Sequence, residues 1–525
     1  MSQDNKDLQS TSVKDVEQLG TFAALASLSY VFWICGGMEM VERLAFYGTR
    51  QVAGLYGTDA ASNGGLGLVE AEVGVIMFTW VVFQTLVPVF TGGLSDRIGY
   101  KETIFASTVV KIAGYLLMAI FPSYWGFMAG AVVLAFGTGI FKPGIQGTIV
   151  KATNRRNSSI AWGVFYQTVN IGGFLGPVLA AYMRQMEWAY VFYACAGIIS
   201  LNFLLLLTYK EVGKEERLAH RKKVKAGEIT EKPLWRDSLN ELGNSVLLMY
   251  ILLFSGFWFM LYIFWDIGPL FFRDWVDTSV IVRDLWGEEG PSEWAIRFFA
   301  MNNEGTMILP EGMVNLNSML IMVICFWIAG LSAKLKAANS MALGTFLASS
   351  SLIIFGGFNT AWVIVLAVVI FSLGEMFASP KSSEYIGNIA PPQKKAMYLG
   401  FSQLPLAIGW MGESLIGFYL YGELASKEQI SRKMLMSEGW SESAVAAIPN
   451  GEAFDKLIEF TGQSASVLTE QLYAANNIGT VWYIMATVGI VSAFGLYLYG
   501  KWTYRIASIK EEAPKETQPQ ATPAE

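Results

Sequence analysis

The sequence predicts an all-α membrane protein with twelve transmembrane helices in two six-helix bundles, and three observations carry that expectation. Only 15% of the 525 residues are charged, while 53% are hydrophobic and 14% aromatic; a soluble domain carries about a quarter charged residues. The apolar residues come in blocks of about twenty, long enough to cross ~30 Å of hydrocarbon as helix. A polar stretch, residues 210–244, parts six such blocks from another six.

In chain order, residues 1–20 are a polar tail without the apolar core of an export signal. Apolar windows then place spans near 21–48, 70–92, 102–122, 124–149, 160–183 and 188–209, which make the first bundle (21–209). After the linker 210–244, spans near 245–272, 313–333, 341–358, 361–380, 396–421 and 480–500 make the second (245–500). The last residues, 501–525, have the composition of a disordered tail. Loops on the side of the termini hold 25 of the 37 Lys and Arg, and the opposite loops hold eight. The positive-inside rule therefore puts both termini in the cytoplasm of a cell-membrane protein.

The two bundles read as parallel repeats. A shift of 237 residues aligns Gly93-Leu94-Ser95 with Gly330-Leu331-Ser332, Gly137 with Gly374, Pro143 with Pro380, Gly163 with Gly400, and Ile171-Gly172 with Ile408-Gly409. One offset over successive spans is the mark of six-helix repeats related by an axis along the membrane normal. Two opposite-side loops, 273–312 and 422–479, are long and hold amphipathic stretches such as GEAFDKLIEFTGQSASVLTEQLYAA. They read as short helices on the surface, serving as passive packing, as a shield at the entrance or as a partner-binding surface.

Several function classes are disfavoured. The net charge of −6 and the scattered basic residues argue against a nucleic-acid partner. Cys35, Cys195 and Cys325 lie in apolar blocks without metal-ligand spacing, so no metal and no cofactor is expected. The sole histidine, His220, is in the linker. No Walker sequence and no nucleophile–histidine pairing points to ATP-driven transport or to an enzyme.

The chemistry concentrates in intramembrane charges. In MEMVERLAFYGTR, Glu39, Glu42, Arg43 and Phe46 share one helical stripe, with Arg50 two turns beyond Arg43. Either the span ends at Met38 and these charges cap it at the interface, or they line a water-accessible cavity, because facing lipid costs at least ~2.5 kcal/mol each. Lys142, immediately before Pro143, and the second-half acids Asp266 and Glu375 also fall inside spans, where a charge needs a partner. Glu413 is a further intramembrane acid, and Lys111 sits mid-span without an evident partner.

The turn GGLSDRIGYK resembles the loop signature of the major facilitator superfamily, with a degraded second copy, GLSAKLKAAN. MEMVERLAFYGTR is similar to E-x-x-E-R-F-x-Y-Y-G of the proton-dependent oligopeptide transporter family within it. FKPG (141–144), FYQTVNIGGFLGP (165–177), WDIG (265–268), ILPEGMVNLNS (308–318) and GEMFASP (374–380) resemble further signatures of that family. The resemblance implies the major facilitator fold and a proton-coupled symporter, without cofactor, that imports di- and tripeptides by alternating access, as a monomer in the lipid bilayer. It implies proton coupling through Glu39, Glu42, Arg43, Lys142, Asp266 and Glu375. Substrate binding would fall to Arg50, Tyr47, Lys142, Asn170, Asn317 and Glu375. Span eleven, GFSQLPLAIGWMGES, departs from the family's pattern and adds Glu413 as a possible additional acid. Phe46 lacks the hydroxyl of the family's tyrosine and Ile267 is apolar where the family is polar. A carrier of another small organic ion, an exporter, and a non-transporting membrane enzyme or assembly factor are the alternatives.

Overall fold

The structure is a computed structural model that describes residues 21–91, 95, 98–154, 157–211, 213–215, 218, 219, 222, 226, 242–332, 334–389 and 401–512. Among these, twelve helices of twenty residues or more set the architecture: α1 Tyr30–Arg50, α2 Glu70–Thr91, α3 Tyr100–Ile120, α4 Tyr124–Ala152, α5 Ser158–Arg184 and α6 Trp188–Leu207, then α7 Ser245–Asp266, α8 Pro310–Ser332, α9 Ala337–Gly357, α10 Ala361–Ile389, α11 Gln403–Leu424 and α12 Thr480–Glu512. Nine are long and apolar enough to cross a membrane. Of the other three, α8 is apolar over Pro310–Cys325, while α1 and α11 carry the buried charges Glu39, Glu42, Arg43, Arg50 and Glu413. Most of the linker 210–244, His220, half of GGLSDRIGYK and the tail from 513 lie outside the described residues.

The repeat shows in the element bounds. Adding 237 to α3 gives 337–357, the bounds of α9, and adding it to α4 gives 361–389, the bounds of α10. Packing repeats too. Gly137 of α4 receives the Ser107 hydroxyl of α3 on its carbonyl at 2.7 Å. At the matching positions, a Cβ on Gly374 would stand 2.5 Å from the Gly344 carbonyl oxygen.

Three expected boundaries are corrected. The first span begins at Tyr30, because Ser29 caps α1 by accepting from the Phe32 N–H, and only a short helix, Thr21–Ala26, precedes it. The seventh breaks at Ile267, before Gly268 and Pro269 start a separate helix, Gly268–Trp275; a proline at N1 or N2 suits a new helix start. The twelfth runs on to Glu512, so residues 501–512 are helical and not part of a disordered tail. The two long loops carry the expected short helices: Ser279–Trp286 and Glu293–Phe298 in one, and Lys427–Ser437, Glu442–Ala446, Ala453–Thr461 and Ala465–Ala475 in the other.

The halves meet through α2 against α11 and α5 against α8. Inside the first half, α5 lies close on α1 because Gly172 and Gly176, four residues apart, offer no side chain there. A Cβ on Gly176 would stand 2.6 Å from the Leu44 carbonyl oxygen and 2.7 Å from the Gly48 nitrogen. Gly176→Val is therefore expected to destabilise the protein by at least ~1–3 kcal/mol, the cost of overpacking. Thermal unfolding in detergent checks this; an unchanged midpoint would show that α1 and α5 can part without cost.

Candidate functional site

The charged stripe of α1 is buried among helices and fits neither reading whole: it is not an exposed cap, and its cluster reaches open space only at Lys142. Glu39, Glu42, Arg43 and Arg50 are all 6% exposed or less. Arg43 pairs with both acids of its own helix, its Nε lying 3.2 Å from Glu39 Oε1 and its Nη2 in close contact with Glu42 Oε2. Its guanidinium also lies over the Phe46 ring at 4.9 Å. Each acid then holds a lysine from another helix. Lys142 of α4 donates to Glu39 at 3.3 Å, and Lys111 of α3 donates to Glu42 at 3.3 Å.

Lys111 is the residue that sequence reasoning left without a partner. It is fully buried and lies 3.8 Å from the Phe141 ring centre. Its repeat-related position in the second half is Ala348, which packs on Gly374 as Lys111 packs on Gly137. A lysine thus replaces a packing residue, and the acid it needs comes from α1. Lys142 differs in being 35% exposed, so the Glu39 end of the cluster reaches open space while the Glu42 end is sealed.

In the second half, Asn317 of α8 donates to Glu375 of α10 at 3.0 Å and to the Ser372 hydroxyl at 3.1 Å. Asn170 of α5 is half-buried, and its amide donates to the Tyr166 carbonyl of its own helix. Tyr47 is half-buried, with its ring 6.1 Å from that of Trp265 in the other half.

Two ion pairs join the halves among the described residues, both at the face of the long loops. Arg50, the last residue of α1, donates to Asp266, the last residue of α7, at 2.6 Å. Trp410 of α11 adds its Nε1–H to the same Asp266 oxygen at 3.3 Å and lies 4.8 Å beneath the Arg50 guanidinium. Arg50, expected to meet substrate, is thus occupied by Asp266. The second pair, Arg184 of α5 with Glu311 of α8, was not singled out from sequence, although an acid next to Pro310 at a span entrance was a usable signal. Asn315 reinforces it by donating to the Phe174 carbonyl at 2.9 Å.

The same face carries a polar cavity lined by Thr58, Glu70, Arg273, Asp274, Lys427 and Glu428. Arg273 donates across it to Thr58 at 2.9 Å, and Asn450 donates to the Gly67 carbonyl at 3.1 Å, so the second long loop clasps the first half. Burial pushes the Lys427 ammonium down to about 8. An unfolded chain keeps that lysine protonated up to its ordinary value, so stability from this group rises as pH climbs from about 8 toward 10.5. The melting temperature of the wild type relative to Lys427→Met is therefore expected to climb between about pH 7 and about pH 9.5. A constant difference over that range would contradict it.

The profile of the Major Facilitator Superfamily matches residues 44–412. Multidrug resistance protein MdtH of Edwardsiella ictaluri is 21% identical over 349 residues, 66% of this chain and 76% of that protein. The peptide transporter YePEPT of Yersinia enterocolitica is 27% identical over 175 residues, 32% of this chain and 34% of that one. A crystal structure of a peptide transporter POT in complex with sulfate superposes with a TM-score of 0.63 at 16% identity, over 94% of this chain and 98% of that one.

Proposed function

The chain belongs to the major facilitator superfamily and is a membrane transporter, and from that premise we propose that it is a proton-coupled symporter importing di- or tripeptides by alternating access. The observation that carries the reading is the arrangement of charge between the halves. Ion pairs close one face, while Lys142 and Glu375, on opposite halves, remain partly accessible. On this reading both termini are cytoplasmic and the closed face is the outer one. Opening outward then requires Arg50 to leave Asp266 and Arg184 to leave Glu311, and protonation of the acids is the simplest way to release the cations.

A zwitterion fits this layout. Glu375, already steadied by Asn317, takes the amino terminus, and the Lys142 ammonium takes the carboxylate, with Tyr47 and Asn170 beside them. Arg50 contributes its guanidinium fork only when the gate opens. Proton coupling rests on Glu39, Glu42 and Asp266, since each holds a cation whose release moves a helix.

A second reading, extrusion of an amphiphilic organic ion, draws on the longer match to the multidrug resistance protein and on the missing hydroxyl at Phe46. Uptake of labelled dipeptide into proteoliposomes, with and without an imposed proton gradient, separates the two. We expect gradient-driven accumulation that unlabelled dipeptide competes for. Acetylating the amino end or amidating the carboxy end of the competitor should weaken it at least about tenfold, the loss of one charged contact. No competition by any peptide, with competition by an organic cation, would overturn the import reading.

A further inference from the structure

Glu413 on α11 has no part in the scheme above, yet it is the acid the fold treats most harshly. It is fully buried, no donor reaches its carboxyl oxygens among the described residues, and the side chain within hydrogen-bond reach of it is Asp266, itself a carboxyl. Its position follows from its neighbours. Trp410, one turn earlier on α11, touches both Arg50 and Asp266. A Cβ on Gly417, one turn later, would meet Ile263 Cδ1 at 2.7 Å and Glu413 Oε1 at 2.8 Å. The carboxyl therefore lies against α7 between Ile263 and Asp266, directly behind the gate.

The charged groups facing it are Asp266 from α7 and Arg50 from α1. Neighbouring α2 brings Met77 and Trp80 to Arg50, and its acid Glu70 lies beside Gly422, more than two turns further along α11. Along α12 there is no acid or base before Lys501. The site thus holds one guanidinium and two carboxyls in a buried enclosure. Such a set is neutral only with one proton on the carboxyls, because two adjacent carboxylates cannot both ionise against a single cation. Asp266 is the carboxyl bonded to Arg50.

We propose that Glu413 is the proton site of the Arg50–Asp266 gate, holding one proton while the two are joined. Closing the gate then needs no route to water. The O–H bond on Asp266 breaks, the same proton forms an O–H bond on Glu413, and the ionised Asp266 takes the guanidinium; opening reverses the transfer. This rests on the proton-coupled reading for its role in transport, but the proton itself is a property of the closed fold.

Infrared difference spectra of the purified full chain at neutral pH test it through the C=O stretch of a protonated carboxyl. Glu413→Gln is expected to remove one such band. Glu413→Asp is expected to shift that band while Asp266→Glu leaves it in place. A band untouched in Glu413→Gln, or one shifted by Asp266→Glu and not by Glu413→Asp, overturns the proposal. Should Glu413→Gln fail to fold, the two conservative variants still decide. In proteoliposomes, Glu413→Gln should slow uptake about tenfold at acidic outside pH, where Asp266 must shed a proton to close, and approach the wild type at alkaline pH; parallel pH profiles would count against the transfer. Absence of gradient-driven uptake by the wild type would remove the transport reading and leave the infrared result standing.

Discussion

Arg50→Ala is expected to open the face of the long loops and abolish accumulation. Arg50 is 6% exposed and its bond to Asp266 is 2.6 Å long, so the variant leaves a buried carboxylate without its cation, with Trp410 at 3.3 Å and the Glu413 carboxyl as its remaining polar neighbours. Removing one partner of a buried ion pair costs about 3–5 kcal/mol, and that cost falls on the closed state alone. At 1.4 kcal/mol per factor of ten, the balance between closed and open moves by about a hundredfold or more. Spin labels at the exposed Ser62 and Glu289, one on each half, report the result as a longer distance in a large fraction of molecules. Replacing both Arg50 and Asp266 by alanine leaves no stranded charge and should recover much of the closed population, without recovering accumulation. Wild-type distances in Arg50→Ala would show that the pair does not hold the gate.

The second large effect separates structure from coupling. Glu42→Gln leaves Lys111 fully buried, without its carboxylate and against the Phe141 ring. The expected loss of stability is again ~3–5 kcal/mol, together with loss of uphill uptake while exchange between loaded forms persists. Adding Lys111→Met removes the orphaned charge and should restore most of the melting temperature while leaving accumulation absent. Glu39→Gln is expected to impair accumulation equally but stability much less, because Lys142 is 35% exposed and can be hydrated. Thermal unfolding and accumulation ratios on the same preparations check all three. Undiminished uphill uptake in both Gln variants would remove these acids from coupling.

Much of this architecture is legible in the sequence because it is written in local patterns. The 237-residue offset, found from a few glycines and prolines, reproduces both ends of two helix pairs, since the small residues that let α3 meet α4 and α9 meet α10 occupy matched turns. The intramembrane charges stand out because hydrocarbon makes each one expensive. What the sequence leaves unwritten is pairing. Lys111 and Glu42 are 69 residues apart, Arg50 and Asp266 are 216, and Arg184 and Glu311 are 127. Those distances close only when helices from different parts of the chain pack. The break at Ser29 is of a different kind: a serine inside an apolar run can cap a new helix start, and hydropathy averaged over a window does not register it.

Proton movement with substrate is the most direct test. Proteoliposomes carrying a pH-sensitive dye in the lumen, with the membrane potential clamped, receive a dipeptide outside. Acidification of the lumen at a rate that follows dipeptide entry, lost in Glu42→Gln, is the expected result. Dipeptide entry with no change in internal pH, or alkalinisation as substrate enters, would contradict proton-coupled import.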